Sequence, residues 1–155
     1  MSNSVGPVRF SAVTATTTSL GQNDPEVGTR ATIGGKDYVF VYNEGGEVIP
    51  AGFAAVPNAG MTAMSVTVSA VTSADAVVGV AVVSLSTGTF GWLATRGVVN
   101  VEAGETMVTG ELIEVSANGD FGPVSNTTGN LAPAVGKALN TIATAASGSV
   151  YINCF

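Results

Sequence analysis

The sequence predicts an all-β fold: a small single-domain barrel or sandwich of short antiparallel strands, preceded by an extended N-terminal arm. Two observations carry that prediction. Apolar segments rich in β-branched residues recur along the chain, divided by turns of Gly, Asn, Ser and Thr. Roughly nine or ten short strands at such spacing mark a small barrel or sandwich. The second observation is that no segment sustains the apolar period of an amphipathic helix.

The organising stretch runs from Ala76 to Gly97 and carries no charge before Arg96. Val77, Val78, Val80, Val82 and Val83 are β-branched, which favours a pleated backbone. Their apolar side chains fall on both parities, so both faces of this strand should be covered. The turn Ser86-Thr87-Gly88-Thr89 then predicts a hairpin return on Phe90 to Ala94, which holds Trp92. A membrane-spanning helix is ruled out by length, since it needs about 20 apolar residues.

Taken in order, residues 1–27 are rich in hydroxyl residues, Gly, Asn and Pro, with an apolar patch at Val8, Phe10 and Val13. They read either as a tail or as an arm that orders against a neighbour. Residues 28–155 form the β-domain. Gly34-Gly35 joins two strands, Gly28 to Ile33 and Lys36 to Tyr42. In the second, Tyr38, Phe40 and Tyr42 share one face and Val39 and Val41 the other. Such an aromatic stripe belongs to core or interface. The prolines of Glu47 to Asn58 suit a loop or an edge strand. Met64 to Ala70 alternates cleanly, as a half-exposed strand does.

Past the central hairpin, Val98 to Val101 and Glu111 to Ser116 read as strands. Asn118-Gly119 predicts a tight return to a strand starting at Phe121. Leu131 to Leu139 and Gly148 to Phe155 complete the set, the last alternating Val150, Ile152 and Cys154 against Tyr151 and Asn153. A spacing G-E-x-x-x-x-G occurs at Gly46 to Gly52 and again at Gly104 to Gly110. A duplicated β-unit would leave such an echo, and so would chance in a glycine-rich chain.

Composition bounds the function. Charged residues make up 10% of the chain and the net charge is −6. A surface this poor in charge is weakly defended against association, which predicts a homo-oligomer or larger assembly. The basic residues Arg9, Arg30, Lys36, Arg96 and Lys137 form no cluster, so no nucleic-acid partner is expected. The acidic balance argues against an anionic membrane surface. There is no histidine, which removes the commonest general base and metal ligand together. The single Cys154 excludes an intrachain disulfide and reads as a buried small hydrophobe. The N-terminus has no secretory pattern, so synthesis in a cytoplasm is expected. Glu102, Glu105, Glu111 and Glu114 would be the only carboxylate cluster for hydrolysis, and they read more simply as charged rims of turns. Neither a catalytic set, a cofactor nor a metal is expected.

The C-terminal half then shows a wider pattern. Ala94-Thr95-Arg96-Gly97, Val101, Ala103-Gly104 and Val108-Thr109-Gly110 lead to Ile113, Val115 and the Asn118-Gly119 turn. Val135-Gly136-Lys137-Ala138-Leu139 and Ser147-Gly148-Ser149-Val150-Tyr151-Ile152 follow. This resembles the capsid cement, or decoration, proteins of tailed bacteriophages, over roughly residues 28–155. The earlier Gly28-Thr29-Arg30, Tyr38 to Tyr42 and Ile49-Pro50-Ala51-Gly52 resemble phage head proteins of the same type. The resemblance implies an all-β virion protein, made in the host cytoplasm, that binds the outer surface of the head. There it would stabilise contacts of the major capsid protein as a homo-oligomer, with a trimer the expected form. Val8, Phe10, Val13 and Trp92 are the residues expected to contact the capsid or a neighbouring subunit. The alternative is a head-fibre or receptor- and glycan-binding module.

Overall fold

The computed structural model describes residues 14–21, 24–57, 65–67, 77–116, 118–125 and 134–154. Among them the chain forms strands and turns and no helix. The strands are β1 (Arg30–Ile33), β2 (Lys36–Asn43), β3 (Ala54–Pro57), β4 (Ser65–Thr67) and β5 (Gly79–Ala81), followed by β6 (Phe90–Glu102), β7 (Leu112–Val115), β8 (Phe121–Pro123), β9 (Gly136–Ala138) and β10 (Ser147–Asn153). They lie in one 10-stranded sheet, ordered β1-β2-β4-β3-β5-β6-β10-β9-β7-β8. Its pairings are antiparallel except for β2 with β4. The sheet as a whole does not close into a barrel, but β2 also pairs along β6. The all-β single domain of the sequence is therefore the fold observed.

Local turn chemistry sets the hairpins. Gly34 and Gly35 have φ of 59° and 77°, values an L side chain resists, and they bring β1 onto β2. Gly119 does the same between β7 and β8. The central hairpin is β5 with β6. β2 is buried on both faces, and the two parities serve different cores. Val39 and Val41 enter a smaller core with Ile49, Ala55, Val78, Ala81, Leu85 and Leu93. Tyr38 and Phe40 enter the larger core with Trp92 and the apolar residues of the C-terminal half. Across the β2–β6 pair, Phe40 stands opposite Trp92 and Tyr42 opposite Phe90. Their rings meet at 5.1 Å and 4.6 Å. Tilted rings at this separation add about 0.5–1.5 kcal/mol beyond area burial.

Two sequence expectations change. β6 runs unbroken through Gly97 to Glu102, where the sequence suggests two strands. Thr95 is an extra residue between the pairs Tyr38↔Ala94 and Asp37↔Arg96, a bulge that shifts side-chain parity. Trp92 and Ala94 before it, and Val99 and Val101 after it, consequently face the same larger core. β3 is an interior strand, paired with both β4 and β5, rather than an edge. Pro57 is accommodated because it stands at the end of β3.

The chain is built from two like units that share β6. In the first, β2, β4, β3, β5 and the front of β6 pair in a circuit back to β2. In the second, the rear of β6 pairs with β10, β10 with β9, β9 with β7 and β7 with β8. A parallel bridge from Phe121 of β8 to Ala103 returns that circuit to the end of β6. Register partners correspond as well: Val39↔Leu93 answers to Val99↔Val150, and Val41↔Gly91 to Val101↔Gly148. Every residue of the smaller core has a counterpart in the larger, such as Ile49 with Met107, Ala55 with Ile113 and Leu85 with Ile142.

One turn recurs at Ile49–Ala54, Leu85–Phe90, Met107–Leu112 and Ile142–Ser147. Each begins on a bridged residue, Ile49 with Leu85 and Met107 with Ile142. Its fourth residue has positive φ: Gly52, Gly88, Gly110 and Ala145. The next residue's N–H closes the turn at 3.0–3.2 Å, as Thr89 does onto Ser86 and Glu111 onto Val108. The spacing shared by Gly46–Gly52 and Gly104–Gly110 is thus the trace of a duplicated β-unit.

Candidate functional site

The two units differ in what covers their outer faces. In the first, Ala54, Val80, Ala94 and Tyr38 form a row across β3, β5, β6 and β2. The three small residues have no exposure and Tyr38 has 7%. The β7–β8 turn docks at one end of this row, where the Ala54 N–H donates to the Gly119 carbonyl at 2.7 Å. The equivalent row of the second unit is Leu112, Lys137, Tyr151 and Val98, across β7, β9, β10 and β6. Here Leu112 is 56% exposed, Val98 43% and Tyr151 38%, and Lys137 also stands in solvent. Alternation with the buried Ile113, Val150 and Val99 puts these side chains outward. An apolar row left open on one unit and covered on its counterpart is the most distinctive surface of the described residues.

Beside this row, Arg96 donates from Nε to the Tyr151 hydroxyl at 3.3 Å and approaches Asp37 at 3.9 Å. Tyr151, through its hydrogen bond and its electrostatic attraction, and after it the Asp37 charge hold the guanidinium further toward its charged form. Asp37 also accepts from the Thr32 hydroxyl at 2.7 Å. Arg96, Asp37 and Thr32 line a shallow cleft of about 320 Å³ together with Arg30, Asn153 and Cys154. Burial away from water pushes the Cys154 thiol up to about 12, so at neutral pH it is an unreactive apolar group.

Glu102 and Glu111 of the C-terminal half serve separate structural tasks. Glu102 accepts from the Ser147 hydroxyl at 2.7 Å, and Glu111 from the Val108 N–H at 2.8 Å, capping its own turn. Among the described residues no group of His, Cys, Asp and Glu is placed to hold a metal ion.

Of the residues expected from sequence to make contacts, Val8, Phe10 and Val13 lie outside the described residues. Trp92 is 2% exposed and packs inside the larger core, so in the single chain it presents no contact surface. The described part of the arm is tied to the domain. Thr17 bridges Phe90 through paired backbone bonds of 3.1 and 2.7 Å, and Gly28, the first residue of the domain, donates to the Phe40 carbonyl at 2.7 Å. Sequence reasoning missed the outer row of the second unit. Its signal was the mixed parity of Lys137, Tyr151 and Val98 opposite uniformly apolar neighbours.

The sequence matches no protein-family model and no curated protein. Among solved structures, the chain is similar to the N base of head fibre gp8.5 in bacteriophage phi29. The TM-score is 0.57 at 14% sequence identity, covering 75% of this chain and 92% of that one. What this chain shares with the head-fibre base is its fold.

Proposed function

We propose that the protein is a structural component of a bacteriophage virion, mounted on the outer surface of the head and bound to the major capsid protein. The single observation that carries this reading is the likeness to the phi29 head-fibre base, which extends over 92% of that chain. The protein acts by binding, with no catalytic step and no cofactor. It works as a homo-oligomer, with a trimer matching the threefold positions that an icosahedral shell offers.

Two finer roles are each supported by their own observation. The strand and glycine pattern of residues 28–155 resembles cement proteins, which would strengthen the shell. The fold likeness favours the base of a head fibre, which would carry a projecting segment. Saturating purified heads with the protein and then challenging them with heat separates the roles. Stoichiometric binding that raises the temperature of genome release supports cement. Stoichiometric binding that leaves it unchanged supports a fibre base. Absence of binding to heads overturns both.

A further inference from the structure

Among the described residues, each unit carries one departure from the common pattern that bears on association. In the first unit the connection from Asn43 to Ile49 is longer than its counterpart from Ala103 to Met107, and it forms the loop Glu44-Gly45-Gly46-Glu47-Val48. In the second unit the outer row of Leu112, Lys137, Tyr151 and Val98 is bare.

These departures are complementary in chemistry. The loop presents Val48, 49% exposed, beside Glu47 and Glu44. The row presents apolar Leu112, Tyr151 and Val98 around Lys137, with Arg96 held against Tyr151. Lys137 and Arg96 are two of the 5 basic residues in a chain of net charge −6, and both flank Tyr151; Asp37 offsets Arg96, so Lys137 is the cation this row offers a partner. The loop is also fixed in advance. Asn43 is fully buried, its amide donates to the Glu47 and Leu85 carbonyls at 2.9 Å, and its oxygen accepts from the Gly45 N–H at 3.1 Å. A loop held in one shape loses little freedom on docking.

We propose that the outer row of the second unit is the docking surface for a second copy of this chain, which presents its Glu44–Val48 loop there. Val48 packs on Leu112 and Tyr151, and Glu47 of the incoming copy faces Lys137. The contact joins different surfaces of the two copies, so it is heterologous and repeats head to tail. It closes into a ring when the rotation per copy divides a full turn. This assignment rests on the self-association part of the reading above and not on attachment to a head.

A charge exchange tests it. Self-association of the full chain is measured by sedimentation equilibrium, without heads, for the wild type, Lys137→Glu, Glu47→Lys and the double variant. Both positions are exposed, so thermal unfolding should match the wild type in all variants. Each single reversal should weaken association by about tenfold or more, because like charges then oppose each other across the interface. The double variant should recover most of the loss. A monomeric wild type, an unaffected Glu47→Lys, or a double variant no better than the singles would overturn the proposal. Binding to heads is read separately. Should Lys137→Glu reduce head occupancy while self-association stays intact, the row belongs to the shell and the proposal also falls. If instead the wild type ignores heads while the charge exchange behaves as expected, the head reading fails and this interface stands.

Discussion

Gly79 and Gly136 occupy the same point in the two units, each where a β-carbon would run into the carbonyl oxygen of the strand alongside. That oxygen belongs to Ala94 in the first unit and to Tyr151 in the second. Backbone cannot give way as a flexible side-chain end can, so both positions exclude any larger residue. Gly79→Ala and Gly136→Ala should each destabilise the domain by about 1–3 kcal/mol, the usual cost of overpacking. Chemical denaturation of the two variants checks this, and a neutral result at either would deny the equivalence.

The recurring turn makes a sharper prediction. Ala145, at φ 58°, stands where the other copies have Gly52, Gly88 and Gly110. A left-handed conformation costs an L residue about 1–2 kcal/mol, partly offset by the greater freedom of glycine in the unfolded chain. Ala145→Gly should thus stabilise the protein by about 0.5–1 kcal/mol, while Gly110→Ala destabilises it by a similar amount. Both are read from the shift of the unfolding midpoint.

Much of this architecture was legible in sequence where the signal is local. Gly34-Gly35 and Asn118-Gly119 announce their hairpins because their glycines tolerate the positive φ of those turns, and the alternation of β10 announces its buried face. β6 was not legible as one strand, because Arg96 and Gly97 mimic a break while acting at a bulge. The duplication was only half legible. Inner positions agree between the units, but outer ones differ as sharply as Val80 and Lys137, or Ala94 and Tyr151, since one face is covered and the other bare. Alternating agreement and disagreement dilutes the match to a few glycines. The bare outer row was hidden for the same reason: it is defined by comparison with a face that only the fold reveals.

Asn43 offers a test of the loop. Its side chain satisfies two carbonyls and one N–H in a fully buried setting. Asn43→Ala leaves those groups short of partners and should cost about 1–3 kcal/mol. Hydrogen exchange at Gly45 should accelerate in the variant, because that N–H loses its acceptor.

Alkaline pH should weaken the fold through Cys154. Its thiol is held up at about 12 by burial, against an ordinary value of 9.0. Between those values the unfolded chain releases the proton and the folded chain keeps it, so stability is full below about pH 9 and falls as pH rises. The slope approaches about 1.4 kcal/mol per pH unit. Burial raises the Tyr38 hydroxyl in the same sense. Cys154→Ala should flatten the profile between pH 9.5 and 11, whatever its effect at pH 7, and equal slopes for variant and wild type would assign the loss elsewhere.

Attachment to a phage head is read by imaging purified heads after saturation with the protein. Attachment gives added density at regular positions on the outer surface, each site filled by copies in mutual contact. Heads that show no added density at saturation would contradict it.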